Sequence, residues 1–207
     1  MLSSSEIKQG IKGAFYLLWF DSRAAASFTT DWRDMWRSYT VLAVLLPLGL
    51  VMTAFANQPY FAKYSVNPAS YLAVRLVGTL VLIPLVLWCQ YMLARTQDAV
   101  ARFPSYVAAS NWFSLVSTFV FMLPWALTVL EILPNHTRTS IGISLFCLDI
   151  IYGWFIAWRL LKVNPFVAVG FVMMAIMLTT TYEDSVNIHF YGMARPFFAD
   201  SDVPSVQ

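Results

Sequence analysis

Ile141-Gly142-Ile143-Ser144-Leu145-Phe146-Cys147-Leu148-Asp149-Ile150-Ile151-Tyr152-Gly153-Trp154-Phe155-Ile156-Ala157-Trp158 is the stretch whose reading decides the fold. It is apolar over the length that a bilayer crossing needs. One carboxylate, Asp149, interrupts it near the middle. An ionisable group at that depth costs about 2.5–3.5 kcal/mol on insertion scales, so it calls for a partner or a purpose. The remainder of the chain reads as the surroundings of this helix.

Composition places the chain in the membrane class. It is 59% hydrophobic and 12% charged, about half the charged content of a soluble domain. Too few polar side chains are present to cover a globule in water. Sixteen aromatic residues in every hundred, with eight Trp, suit interfacial belts. A formal net charge of +2 without a basic run excludes nucleic acid as an expected partner. Two Cys and two His leave no room for a metal cluster or disulfide framework. No metal and no cofactor are expected. The N-terminus has no basic segment followed by an apolar core and a cleavage site, so no signal peptide is read.

Outward from the opening stretch, four more spans follow the same pattern. The expected fold is all-α, with five transmembrane helices at about 39–56, 70–93, 105–130, 141–161 and 165–181, in a bundle covering 39–184. Residues 1–38 form a cytoplasmic, interfacial segment. Within it, Ile7, Ile11, Phe15 and Leu18 recur at helical spacing. The aromatic end Phe15–Phe20, including Trp19, predicts a helix lying in the membrane surface, with Lys8 and Lys12 toward anionic headgroups. Thr29, Thr30 or Asp31 offers an N-cap. A charged, Trp-rich lead of Trp32, Arg33, Trp36 and Arg37 then enters the first span, with both arginines at headgroup level. Residues 57–69 are expected as a polar loop and 134–138 as a turn. Pro165 suits the first position of a helix. Residues 185–207 are expected as a coil or surface tail outside the bundle. Pro47, Pro84 and Pro124 predict bends within spans.

Loop charges set the orientation. Nine Lys and Arg fall on the N-terminal side and three on the other, with Arg75 inside a span. The positive-inside rule then puts the N-terminus in the cytoplasm and the C-terminus outside.

On a helical wheel Asp149 shares a face with Gly142, Gly153 and Ile156, while Ile143, Cys147, Ile151 and Phe155 point away. Small residues admit a neighbouring helix, so the Asp149 face is expected to be buried. By the same logic Arg75, beside Gly78, Thr79 and Leu82, turns inward. An axial gap of roughly 6 Å allows an Arg75–Asp149 ion pair. The other reading sends Arg75 outward to Glu131, Glu183 or Asp184 and leaves Asp149 bonded to Tyr152 or Ser144. A pair of this kind serves helix register or, alternatively, a proton or cation site. Cys89 and Cys147 are read as unpaired fillers. Glu131, His136, Glu183, Asp184 and His189 gather at one end, without a spacing specific for metal or acid–base chemistry.

The order of parts carries a resemblance. Asp31-Trp32-Arg33-Asp34-Met35-Trp36-Arg37-Ser38 leads into Leu45-Leu46-Pro47. Ser105-Tyr106-Val107-Ala108-Ala109-Ser110-Asn111-Trp112 and Tyr152-Gly153-Trp154-Phe155-Ile156-Ala157 follow. Over residues 10–185 this resembles small bacterial inner-membrane proteins similar to the Yip (Ypt-interacting protein) domain family. The resemblance implies five spans, a cytoplasmic N-terminus and a non-enzymatic role. The Asp-Leu-Tyr-Gly-Pro motif of the eukaryotic members is absent, so binding to Rab-type GTPases is not implied. Three functions fit the residues. The first is a scaffold, assembly factor or accessory subunit of an inner-membrane complex, partnered by the bilayer and by another membrane protein or a second copy. The second is a small oligomeric transporter or channel using Arg75 and Asp149. The third is a membrane enzyme acting through Glu131, His136 or Glu183. The first is favoured, because no catalytic spacing is present.

Overall fold

The computed structural model describes residues 3–129 and 135–192. Among them every regular element is helical: α1 (Ser4–Leu18), α2 (Trp32–Lys63), α3 (Pro68–Thr96), α4 (Phe103–Val129), α5 (Asn135–Leu161) and α6 (Pro165–Tyr191). Short 3₁₀ turns at Ser22–Ser27 and Val100–Arg102 join them. Four segments are long and apolar enough to cross a membrane: Trp32–Phe55, Pro68–Thr96, Ser140–Leu161 and Pro165–Tyr191.

The helix starts follow the local chemistry. Ser3 and Glu6 form a capping box: the Glu6 amide donates to Ser3 Oγ at 3.3 Å and the Ser3 amide to Glu6 Oε2 at 2.5 Å. Asp31 caps α2 by accepting from the Arg33 amide at 2.8 Å. Asn67 and Asn164 cap α3 and α6, each followed by Pro at the first helical position, where the missing N–H costs nothing. At the end of α5, Arg102 donates to the Leu161 carbonyl at 3.2 Å, closing one of the carbonyls a helix C-terminus leaves open.

Two stretches expected as irregular are helical. α2 continues unbroken through Pro47 to Lys63, taking in the first half of the expected 57–69 loop. α6 runs to Tyr191, so the expected tail begins as about two further turns, capped by Gly192 at φ 71°. Glu183, at the expected edge of the bundle, is met inside the protein by Arg75. α5 begins at Asn135, six residues before the expected start, and takes in most of the expected 134–138 turn. Residues 193–207 of the expected tail lie outside the described residues.

Two cores sit at opposite ends. The larger draws on all six helices and lies at the end carrying α1. It includes Leu17, Met35, Ala94, Phe103, Tyr106, Trp112, Ile156, Leu161 and Phe171. α4 is its axis, with residues 103–109 and 111–113 all buried. Asn111 donates to Ser38 Oγ at 2.8 Å and Ser38 to the Met35 carbonyl at 2.6 Å, tying α4 to α2. Gln90 of α3 donates to the Tyr106 hydroxyl at 3.0 Å. The smaller core, at the far end, comprises Phe61, Tyr71, Val186 and Tyr191, from α2, α3 and α6. α3 and α6 stay close along their length: the ring of Tyr182 lies where a side chain on Gly78 would stand, and its hydroxyl donates to the Arg75 carbonyl at 3.1 Å.

Candidate functional site

Arg75 lies about 10 Å into α3, half-buried, and pairs with Glu183 of α6. Its guanidinium carbon stands 5.9 Å and 5.8 Å from the ring centroids of Tyr71 and Tyr182. The proposed Arg75–Asp149 ion pair is therefore not formed. Two physical reasons account for it. α5 starts earlier than expected, so Asp149 stands about 21 Å from the N-terminal end of its helix, about twice as far in as Arg75 in α3. In addition, α5 packs on α4 and α6 while α3 packs on α6 and α2. Glu183 on the shared neighbour is the nearer carboxylate.

Asp149 is exposed, and among the described residues it has no hydrogen bond or ion pair. The hydroxyls once expected beside it are engaged elsewhere. Tyr152 donates to the Leu18 carbonyl at 2.9 Å, and Ser144 to Ser140 at 2.9 Å. The helical face of Asp149 changes character along α5. Ile156, two turns toward the α1 end, is buried at 2% exposure. At Gly153, an added Cβ would stand 3.4 Å from Val172 of α6. Asp149 is exposed, and at Gly142 an added Cβ would meet no described atom within 4 Å. The expectation of a buried Asp149 face thus holds below the carboxylate and fails at it.

Apolar side chains are exposed on α5 (Ile143, Leu148 and Ile151) and on α4 (Phe119, Val120 and Leu123). Cys147 is exposed and free, and Cys89 is half-buried and free. One residue expected on the lipid side is covered. Phe155 is buried, because Phe20 packs edge-on against it with centroids 5.1 Å apart and stacks on Tyr152 at 4.7 Å.

At the other end, α1 is docked rather than loose. Gly10 lies so close to the Trp112 ring that an added Cβ would stand 2.3 Å from it, and Gly13 meets Phe28 in the same way. Glu6 receives Arg37, with Nη2 donating at 2.7 Å. Hydrogen bonds from Ser3, reinforced by the Arg37 charge, hold the Glu6 carboxyl below the usual carboxylate range. Asp21 is lowered likewise by Arg23, whose guanidinium Nη2 stands 2.6 Å away and is itself raised. Glu6, Gln9, Asp34, Arg37, Ser38 and Trp112 border a solvent-open cleft between α1, α2 and α4. Arg37, expected as a headgroup cation, thus serves α1, while Arg33 stays exposed. Trp19 is 81% exposed, Trp36 60% and Trp32 42%.

Among the described residues no group of three His, Cys, Asp or Glu side chains could hold a metal ion. Glu131 lies outside the described residues and the side chain of His136 is not described, so their proposed cluster is represented by Glu183, which Arg75 occupies.

No family model matches the chain, and no curated protein and no solved structure matches it. The resemblance to the Yip family rests on the sequence motifs.

Proposed function

We propose that the chain is a non-enzymatic, five-span integral membrane protein of the Yip-like type, acting as a scaffold, assembly factor or accessory subunit of an inner-membrane complex. The observation that carries the reading is Asp149: a carboxylate in the middle of an apolar helix, exposed, with no partner among the described residues. A group so costly at that depth is explained if another molecule completes it. α4 supplies the fifth span of this reading, with 27 helical residues, about 40 Å. The charge asymmetry of the loops supports a cytoplasmic α1 end. α1 is its interfacial helix. Gly10, Gly13, Ala14 and Leu17 face the bundle, while Ile7, Phe15 and Trp19 are exposed beside Lys8 and Lys12, the distribution of a helix held at the lipid boundary.

Purification of the full chain from its native membranes in mild detergent tests the reading. A partner recovered in fixed stoichiometry is the expected result, and a monodisperse monomer under every mild condition counts against it. A second reading, a small oligomeric transporter, draws on the same exposed carboxylate inside an apolar span. Ion or solute flux in proteoliposomes that Asp149→Asn abolishes would replace the first reading with this one.

A further inference from the structure

We propose that the cleft between α1, α2 and α4 is a binding site for a small primary ammonium. An ethanolamine group, free or at the head of a phospholipid, is the ligand it fits. The site is independent of Asp149.

The cleft encloses about 60 Å³, room for a group of a few heavy atoms. Three helices supply its polar lining: Gln9 from α1, Asp34 from α2 and Trp112 from α4. The bonds within the protein leave a definite set of groups open. Arg37 holds Glu6 through both guanidinium Nη atoms, one on each carboxylate oxygen, so that carboxylate is occupied. Asp34 accepts from Thr29 Oγ1 on Oδ2 at 2.6 Å, and its Oδ1 has no hydrogen bond or ion pair among the described residues. Gln9 donates to the Ser27 carbonyl at 3.0 Å, which leaves its own side-chain carbonyl open.

Trp112 supplies an open donor. It is only 6% exposed, yet its indole N–H has no acceptor among the described residues. Every solvent-excluded polar side-chain atom among those residues has a partner, so solvent still reaches the indole nitrogen. That nitrogen lies on the ring edge against Gly10, where an added Cβ would stand 2.7 Å from it, and Gly10 lines the same cleft. A buried indole thus presents its donor to the cleft.

These open groups select the ligand. Two carboxylates, Glu6 and Asp34, face one guanidinium, Arg37. The lining is therefore negative by one charge and favours a cation over an anion. Two open acceptors call for N–H donors, which a quaternary ammonium lacks. A divalent metal needs more oxygen ligands than one open carboxylate oxygen and one amide supply, and among the described residues no group of three suitable side chains exists. Trp112 calls for an acceptor within the same small space. Ethanolamine meets all of these demands: its ammonium donates to Asp34 and Gln9, and its oxygen, two carbons away, accepts from Trp112. Each contact comes from a different helix, so the bound ligand fastens α1 to α2 and α4.

The test uses the full-length protein with nitrogen-labelled tryptophan in phosphatidylcholine nanodiscs. The Trp112 indole resonance, assigned by its loss in Trp112→Phe, reads occupancy directly. Ethanolamine in solution, or phosphatidylethanolamine added to the discs, is expected to shift that resonance and to slow hydrogen exchange in α1. Choline, which has no N–H, should bind about tenfold more weakly than ethanolamine, the scale of a lost hydrogen bond to a charged group. Asp34→Asn keeps an acceptor for Thr29 and removes the charge; it should weaken binding about tenfold. Trp112→Phe keeps the ring and removes the donor; read through exchange in α1, it should weaken binding by about fivefold. Thermal melting of each variant establishes that it is folded. A response to dissolved ethanolamine in phosphatidylcholine alone identifies a free amine as the ligand, and a response that needs phosphatidylethanolamine identifies the lipid headgroup. Silence of the Trp112 resonance with both probes overturns the proposal. So does binding that choline matches, or binding that Asp34→Asn leaves unchanged.

Discussion

The two halves of the bundle are built differently. At the α1 end, all six helices share one core around α4, and polar groups there find one another: Asn111 with Ser38, Gln90 with Tyr106, Tyr152 with Leu18, Arg102 with Leu161. At the far end, α2, α3 and α6 close around tyrosines, and between the two cores α5 leaves the Asp149 carboxylate exposed and without a partner among the described residues. The contrast extends to the aromatic residues. Trp19, Trp32, Trp36, Trp112, Trp154 and Trp158 gather at the α1 end, while Tyr60, Tyr64, Tyr71, Tyr182 and Tyr191 pack at the other. The α1 half is closed and carries the fold, and the unsatisfied carboxylate lies between the two cores. A protein that only needed to be stable would have no use for that carboxylate.

The largest effect expected is in the closed half. Trp112→Ala removes the ring under Gly10 and should destabilise the protein by about 3–5 kcal/mol, as aromatic truncations in cores do. Denaturation in mild detergent measures it. A change below about 1 kcal/mol would mean that α1 docks independently of α4. Next comes the junction between the halves. Replacing Asp149 with Leu should ease insertion of isolated α5 by about 2.5–3.5 kcal/mol or more in a glycosylation-reporter assay, yet leave the melting of the whole protein nearly unchanged. If melting rises by several degrees, Asp149 is covered in the bilayer and the contrast fails. Within the far half, a double-mutant cycle on Arg75→Gln and Glu183→Gln should give a coupling of about 1 kcal/mol, because both groups are half-buried. Leu148→Ala should cost less than about 0.5 kcal/mol, since its side chain already faces outward.

The smallest effect is one of pH. Glu6 is held below its ordinary pKa in the folded state. Its contribution is therefore complete above the unfolded value of about 4.3 and is lost as pH falls through the lowered folded value. Hydrogen exchange in α1 should rise only in that acid window, and Glu6→Gln should make it independent of pH there.

Much of the closed half was legible in the sequence. Asp31 and Pro165 announce helix starts through their own backbone chemistry, which depends on a few neighbouring residues. Helical period fixes which residues share the face of Asp149, but the burial expected of that face fails at Asp149 itself, which is exposed. What lies opposite a face depends on which helices become neighbours, and period does not encode that. Hence the Arg75–Asp149 pairing fails, while the other open reading, Arg75 toward Glu131, Glu183 or Asp184, is met at Glu183. The far reach of α6 was hidden because Glu183 and Asp184 read as solvent-facing until a buried guanidinium is placed beside one of them. The docking of α1 was hard to read because most of its buried face is Gly10, Gly13 and Ala14, residues too small to register as an apolar stripe, while the stripe of Ile7, Ile11, Phe15 and Leu18 is divided, Ile7 and Phe15 exposed and Ile11 and Leu18 packed against the core.

The seat of α1 on Trp112 sets an order of events during synthesis. Gly10 leaves the ribosome about one hundred residues before its partner. At about 5–20 residues per second, the N-terminal helix exists for roughly 5–20 s before α4 has been made. During that interval α1 can meet the Ser22–Ser27 turn and Arg37 but not its seat on α4. A helix made early is thus fixed late, because the ring that receives Gly10 belongs to a segment not yet synthesised.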